Sequence, residues 1–153
     1  MSIAVIIPTY RRSQDLARCL EALQNLTRPA DEVIVVVRDT DTQTWSFLKA
    51  FDCKNLVLRT ATVTVTGVVA AMNAGLDAAT ADIVAFTDDD AAPHPDWLAR
   101  IETHYLADDD RVGGVGGRDW VYHGSDLEDG NSGTVGQVSW FGRVIGNHHI
   151  GAG

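Results

Sequence analysis

The chain has 153 residues, of which 45% are hydrophobic and 22% charged, a size and balance typical of one globular domain. Its formal net charge of −9 argues against a nucleic-acid partner, because proteins that bind a nucleic-acid backbone present basic faces. No apolar run approaches the roughly 20 residues that cross a bilayer, and no basic segment precedes Ile3 as in a signal peptide. We therefore expect a cytoplasmic domain, which reaches a membrane only through a partner or through segments outside this sequence.

The first half of the chain alternates strand patterns with helix patterns. Continuous apolar runs at Ile3–Ile7 and Val33–Val37 predict two parallel strands that are buried on both faces. Between them, leucines at helical spacing predict a helix, with Ser13 as its N-cap and Arg28-Pro29 beyond its end. A polar loop at residues 39–41 follows the second strand.

The pattern continues with two more strands and three more helices. The sequence predicts a short helix around residues 45–49, a weak strand at 56–58, a half-exposed extended segment at 60–66, a small-residue helix at 68–79, a strand at 83–86 and a helix around 97–105. Gly75 weakens the small-residue helix, so we expect it to permit close packing. Such alternation predicts an α/β fold with a mostly parallel sheet and helices on both faces.

After Val112 the sequence becomes rich in glycine. Residues 118–123 and 135–145 read as antiparallel strands, and residues 124–133 as a polar loop between them. We expect one α/β subdomain over residues 1–110 and the start of a second, incomplete one over residues 111–153. Because Gly151-Ala152-Gly153 forms a poor terminal element, we also expect a truncated chain.

Polar residues follow three of the predicted strands. Thr9 follows the first, Asp39 the second, and Asp88-Asp89-Asp90 the fourth. Ligands of open α/β sheets bind at the carboxyl ends of the strands, so these residues are expected to share one edge. Carboxylates in such a group repel each other unless a cation joins them, and Mg²⁺ is usually held by one or two carboxylates together with substrate phosphates. The pattern predicts a Mg²⁺ or Mn²⁺ site on Asp88 and Asp90 that binds a diphosphate.

Four motifs in order resemble family 2 glycosyltransferases of the GT-A type. They are Ile6–Arg12 at the first strand, Glu32–Asp39 at the second, Gly67–Gly75 at the small-residue helix, and Ala85–Asp90 with Pro95–Leu98 at the acidic strand end. Each motif alone is weak, but their order and spacing over residues 3 to 100 make the resemblance specific.

The resemblance implies a Rossmann-like GT-A fold that binds a nucleotide-diphosphate sugar, with UDP-, GDP- and TDP-sugars all open as donors. It implies an inverting transfer to an acceptor that the sequence does not identify. The implied nucleotide-binding residues are Pro8, Thr9, Tyr10, Arg11, Asp39, Asn73, Asp88 and Asp89. Asp88 and Asp90 would bind the divalent cation, with Asp89 in support.

Two departures from the family pattern stand out. The family usually ends its second strand in two acids, whereas the first position here is Arg38, which we expect either to touch phosphate or to pair with Asp39. The family's catalytic base is an Asp in a later segment, and none of the remaining acids, Asp119, Asp126 and Asp129, lies in that pattern. The chain is therefore expected to bind a donor while lacking the base.

Two other functions remain open from the sequence. One is a non-catalytic nucleotide-binding or interaction module, which the absent base favours. The other is a sugar nucleotidyltransferase, which the lack of glycine in Pro8–Arg12 disfavours because those enzymes usually carry a glycine-rich basic loop there. An unfinished sheet edge near residues 135–150 favours a homodimer.

Overall fold

The computed structural model describes residues 1–107 and 112–117, together with the backbone of four short strands beyond them. The four strands of the first part are β1 (Ile3–Thr9), β2 (Glu32–Arg38), β3 (Leu58–Val63) and β4 (Ile83–Phe86). The helices are α1 (Ser13–Gln24), α2 (Thr42–Ala50), α3 (Val68–Ala78) and α4 (Trp97–Ala107). Strands and helices alternate as the sequence predicts, so the α/β class is confirmed.

The first four strands form one parallel sheet in the order β3-β2-β1-β4. β1 lies at its centre, with Thr9 opposite Val37 of β2 and Ile6 opposite Phe86 of β4. All three pairings are parallel, so the carboxyl ends of the four strands meet at one edge. The predicted mostly parallel sheet is confirmed.

Helices cover both faces of this sheet. Alternate residues of β1 and β2 point to opposite faces. One set packs in the larger core with α1, α2 and α4, and the other set, which includes Ile6, Ile34 and Val36, packs against Ala71 of α3. The close approach of α3 depends on Gly75, where an added Cβ would overlap Ile6 Cγ2. The predicted packing role of Gly75 is confirmed.

Two local predictions are wrong. Ser13 is the first residue of α1 rather than its N-cap; Arg12 holds the cap position and makes no side-chain cap hydrogen bond. The third strand begins at Leu58 rather than covering residues 56–58, and it continues into the segment that was predicted only as extended. That segment alternates Thr with Ala or Val, and pairing with β2 makes it the edge strand of the sheet.

Residues 114–153 form a second compact unit after residues 1–113. Its described strands are β5 (Trp120–His123), β6 (Asp126–Asp129), β7 (Gln137–Val138) and β8 (Val144–Ile145). β5 pairs with β6, and β7 with β8, both antiparallel as predicted for this region. The run over residues 135–145, however, was predicted as one strand and contains the two strands β7 and β8, so that prediction is wrong. β6 lies inside the predicted loop over residues 124–133, so that part of the loop prediction is wrong.

None of the helices that the structure describes is long and apolar enough to cross a membrane. The roles predicted for residues 1–110 and 111–153 remain predictions. The same holds for the homodimer, since most of residues 135–150 lie outside the described part of the chain.

Candidate functional site

Thr9, Asp39 and the acidic triplet all lie at the carboxyl-terminal edge of the sheet. Thr9 is the last residue of β1, Asp39 follows β2, and Asp88–Asp90 begin two residues after β4 ends. The backbone N–H of Thr87 donates to Ile6 O over 3.2 Å, which keeps the chain beside β1 as it leaves β4. The triplet therefore begins next to the end of β1.

The three acids of the triplet have different surroundings. Asp89 is buried, with 5% of its surface exposed, whereas Asp88 and Asp90 are exposed. The Thr9 hydroxyl donates to Asp89 Oδ2 over 2.7 Å, and Arg12 Nη1 donates to Asp89 Oδ1 over 3.3 Å. The middle carboxylate is thus fixed by the protein, and the two flanking carboxylates lie at the surface.

Arg12 bridges two members of the triplet. Its Nη1 also donates to Asp90 Oδ2 over 3.0 Å, although the Arg12 side chain is 54% exposed. The charge and hydrogen bond of Asp89, followed by the charge of Asp90, raise the pKa of the Arg12 guanidinium. From the sequence, Arg12 was identified only as the last residue of the first-strand motif and was given no role. The signal for its role is that three consecutive acids need a nearby cation.

Cys19 of α1 lies beside the triplet but has no reactive character. Its Sγ donates to the Asp88 backbone carbonyl over 3.6 Å. Burial, reinforced by the negative charges of Asp89, Asp90 and Asp88, raises the pKa of this thiol to about 12. The group is therefore protonated at neutral pH and suits neither metal binding nor nucleophilic attack.

The turn after β1 is held by a carboxylate of the next loop. Arg11 has a φ of 57°, a left-handed conformation that few residues other than glycine adopt. Its backbone N–H donates to Asp41 Oδ2 over 2.6 Å. Asp41 also accepts from the Thr44 hydroxyl over 2.7 Å and from the Thr44 N–H over 3.1 Å. One side chain thus joins the loops after β1 and β2.

Asp41 is 1% exposed and was identified from the sequence only as part of a polar loop. Burial raises the pKa of its carboxyl, but hydrogen bonds from the Thr44 hydroxyl and the Arg11 and Thr44 N–H groups outweigh that effect, so the pKa lies below its ordinary value. Its sequence signal is an Asp directly before a helix, the usual position of an N-cap.

Two arginines lie close to the Tyr10 ring at the same edge. Arg11 Cζ is 5.0 Å from the centroid of the Tyr10 ring and Arg38 Cζ is 5.9 Å from it, both within the range of a cation–π contact. Tyr10 itself is 46% exposed, and Pro8 on β1 is partly buried. An exposed aromatic face with two cations can receive a planar, electron-rich group.

Asp39 and Asn73 are less tightly tied to the site. Asp39 is exposed, and its Oδ1 accepts from the Thr40 N–H over 2.9 Å, a local turn contact. The structure contains no ion pair between Asp39 and Arg38, both of which it describes, so the pairing predicted for them is not observed. Asn73 is exposed on α3, and no hydrogen bond links it to the other predicted site residues within residues 1–107.

The donor set fits a cation that is only partly held by protein. Within the stretches that the structure describes, no group of three or more His, Cys, Asp or Glu side chains is arranged around a common metal position. Mg²⁺ commonly binds through one or two carboxylates and completes its shell with substrate phosphates and water. The exposed Asp88 and Asp90 supply that smaller set, so the residues present are compatible with such an ion.

Comparisons with known proteins agree with this arrangement. The profile of "Glycosyl transferase family 2" matches residues 4–141, and the chain therefore belongs to this family. The glycosyltransferase AglE of Haloferax volcanii is 31% identical over 119 residues, which cover 73% of this chain and 38% of that protein.

Two solved structures resemble the fold. The mannosyltransferase PcManGT from Pyrobaculum calidifontis, in complex with GDP-Man and Mn²⁺, is 32% identical with a TM-score of 0.61 over 69% of this chain and 32% of its own. S. aureus TarS 1-349, in complex with UDP-GlcNAc, is 25% identical with a TM-score of 0.58 over 70% of this chain and 32% of its own. The fold is of the GT-A type, and the chain spans about a third of the length of these relatives.

Proposed function

We propose that the chain is the donor-binding part of an inverting glycosyltransferase that uses a nucleotide-diphosphate sugar and a divalent cation. The observation that carries this proposal is the acidic triplet at the strand end. Thr9 fixes the buried Asp89, and this leaves Asp88 and Asp90 exposed on either side of it. Two surface carboxylates beside a rigid central one suit an ion that is shared with a diphosphate.

The relatives support the ligand class. PcManGT was solved with GDP-Man and Mn²⁺, and TarS with UDP-GlcNAc. Proteins of this fold thus bind nucleotide sugars that differ in both the base and the sugar. For this chain we propose a UDP-, GDP- or TDP-sugar as donor and Mn²⁺ or Mg²⁺ as the ion. The acceptor is not assigned.

The proposed roles follow the order of the strands along the edge. Pro8, Thr9, Tyr10 and Arg11 lie at the end of the central β1 and would line the nucleoside and its first phosphate. Asp39 at the end of β2 would face the base. Asp88 and Asp89 after β4 would lie toward the ribose and diphosphate, and Asn73 on α3 would complete the set. The sheet order β2-β1-β4 would then run from the base toward the diphosphate.

Asp88 and Asp90 would hold the cation, with Asp89 anchoring the turn between them. When bound, such an ion neutralises the charge that develops on a leaving nucleoside diphosphate. Arg12 contacts Asp90, so its guanidinium places a positive charge beside the Asp90 carboxylate. The contribution of this chain is to position the donor and to stabilise the leaving group, both of which are large terms in catalysis.

Transfer would also need a base that removes the proton of the acceptor hydroxyl. Asp126 and Asp129 belong to β6, and Asp119 lies outside the described residues. None of the three is assigned as the base. We therefore propose that residues 1–110 bind the donor, that residues 111–153 begin the acceptor side, and that the chain lacks the base.

Calorimetric titration of the 153-residue chain with UDP, GDP and dTDP, with and without Mn²⁺, tests donor binding. We expect at least one of them to bind, and Mn²⁺ to strengthen its affinity. Failure of all three to bind in the presence of Mn²⁺ would remove the donor-site assignment. Binding that is the same with and without Mn²⁺ would remove the metal assignment alone.

A further inference from the structure

Arg38 is held at the carboxyl-terminal edge of the sheet by its neighbours. It is the last residue of β2 and lies opposite Val63 of β3. Its backbone carbonyl accepts from Trp45 Nε1 over 3.0 Å, and its guanidinium lies 5.9 Å from the centroid of the Tyr10 ring. The backbone of this residue is therefore fixed, and its charged end lies beside an exposed aromatic ring.

The Arg38 guanidinium has an unsatisfied donor. Its Nε is buried, yet no hydrogen-bond acceptor for it is found among the residues that the structure describes. The adjacent acid, Asp39, makes no ion pair with it and uses one oxygen for the Thr40 N–H. Buried N–H groups of native proteins nearly always have a partner, and a guanidinium can only donate. Any partner of this N–H would have to be an acceptor.

Sheet order separates Arg38 from the proposed diphosphate position. The acidic triplet follows β4, and β1 lies between β4 and β2. At the usual spacing of about 4.8 Å between neighbouring strands, the ends of β2 and β4 are roughly 10 Å apart. That separation suits the base at one end of a nucleotide and the diphosphate at the other. Arg12, which follows β1, contacts Asp89 and Asp90 at the proposed diphosphate position.

We propose that Arg38 selects the base of the donor nucleotide and that this base is guanine. The inference rests on the proposed function and adds the identity of the base. Guanine presents two adjacent acceptors, O6 and N7, on one edge, and the flat fork of an arginine matches them with two parallel hydrogen bonds. Arg38 thereby gains the acceptors that its own surroundings do not supply.

Adenine, thymine and uracil match the fork less well. Adenine places an amino donor beside its N7 acceptor, so only one of the two hydrogen bonds can form. Thymine and uracil have no second acceptor beside O4, because a C–methyl group or a C–H lies on one side of this oxygen and the N3–H donor on the other. The Tyr10 ring can stack on any base, so the discrimination comes from Arg38.

Titration of the 153-residue chain with GDP, UDP, ADP and dTDP in the presence of Mn²⁺ tests the inference. We expect GDP to bind about tenfold or more tightly than the other three, as one bidentate pair implies. In Arg38→Lys, which keeps the charge but loses the fork, and in Arg38→Ala, this ratio should fall toward one. Circular dichroism and thermal unfolding of both variants establish that they fold.

Two other arginines serve as controls. Arg11→Ala should weaken all four nucleotides by a similar factor and keep the preference for GDP. Arg18→Ala, on the exposed side of α1, should change nothing. Equal affinity of the wild type for all four nucleotides, or a GDP preference that persists in Arg38→Lys and Arg38→Ala, would overturn the role of Arg38 and leave donor binding intact. Failure of all four nucleotides to bind would instead overturn the proposed function.

Discussion

The hydroxyl of Thr9 donates a 2.7 Å hydrogen bond to Asp89, and this buried contact joins the end of β1 to the loop after β4. Thr9 is 8% exposed and Asp89 is 5% exposed. A buried carboxylate that loses a donor keeps its desolvation cost, so the contact holds the acidic turn in one position. The exposed neighbours Asp88 and Asp90 owe their placement to it.

Thr9→Val tests this contact because it removes the hydroxyl and nearly preserves the shape of the side chain. We expect a loss of about 1–3 kcal/mol in the free energy of unfolding, measured by urea denaturation, because the Asp89 carboxylate loses its short hydrogen bond. Thr9→Ser keeps the hydroxyl and should lose less than Thr9→Val. Equal stability of Thr9→Val and the wild type would show that the contact contributes little.

The flanking acids should behave differently from the buried one. Because Asp88 and Asp90 are exposed, Asp88→Asn and Asp90→Asn should leave the thermal unfolding midpoint nearly unchanged. Each substitution should weaken Mn²⁺-dependent nucleotide binding by at least about tenfold. Substitution of residues that only hydrogen-bond to metal ligands already costs about that much affinity. Asp89→Asn should lower the unfolding midpoint as well. Full Mn²⁺ dependence in both single variants of the flanking acids would contradict the metal assignment.

Arg12 should compete with the cation for Asp90. Its Nη1 donates to Asp90 Oδ2, so a metal ion that binds this oxygen meets a neighbouring positive charge. We expect Arg12→Gln to bind Mn²⁺ more tightly than the wild type does when no nucleotide is present, measured by the electron paramagnetic resonance signal of free Mn²⁺. Arg18→Gln on α1, the helix that begins directly after Arg12, is the matched control and should leave the affinity unchanged. Weaker Mn²⁺ binding by Arg12→Gln would mean that Arg12 supports the ion instead.

The sequence was most informative where burial leaves a periodic signal. The run at residues 83–86 predicted β4 with its observed bounds, and the strand ends correctly placed Thr9 and the acidic triplet at one edge. The pattern failed at β6, where Asp126, Glu128 and Asp129 surround the single apolar Leu127 and pairing with β5 determines the strand instead.

Contacts between residues far apart in the chain were beyond sequence reasoning. Arg12 contacts Asp89, which lies 77 positions later in the sequence, and the Arg11 N–H donates to Asp41, which lies 30 positions later. Neither pairing follows from local pattern, because each depends on the order of the strands and on the left-handed turn at Arg11. The cation–π contact of Arg38 with Tyr10 is of the same kind, and the sequence offered only the choice between a phosphate and Asp39.

Gly75 should tolerate no side chain. A Cβ at this position would overlap Ile6 Cγ2 and approach Val36 Cγ2 to 3.0 Å, both in the middle of the sheet. We expect Gly75→Ala to lower the free energy of unfolding by about 1–3 kcal/mol, because overpacking outweighs the gain of about 1 kcal/mol in helix propensity. Ile6→Ala removes the overlapping Cγ2 atom, so Gly75→Ala should cost less stability in the Ile6→Ala background than in the wild type. An equal loss in both backgrounds, measured by urea denaturation, would argue against the overlap as its cause.

Asp41 should make the stability of the chain depend on pH in the acid range. Its carboxyl has a pKa below the ordinary value of 3.8 because the Thr44 and Arg11 donors outweigh its burial. A group whose folded pKa is lowered adds stability above its unfolded pKa, and that stability is lost as the pH falls toward and through the folded value.

Asp41→Asn removes this contribution, so the wild type should exceed the variant in free energy of unfolding by about 1–3 kcal/mol at pH 7. As the pH falls below 3.8, the gap should narrow, because Asp41 of the unfolded chain then takes up a proton while the folded carboxyl stays ionised down to its lowered pKa. Urea denaturation of both proteins at several pH values between neutrality and pH 3 measures the gap. A gap of constant size over this range would mean that the Asp41 charge is not the source of the stability.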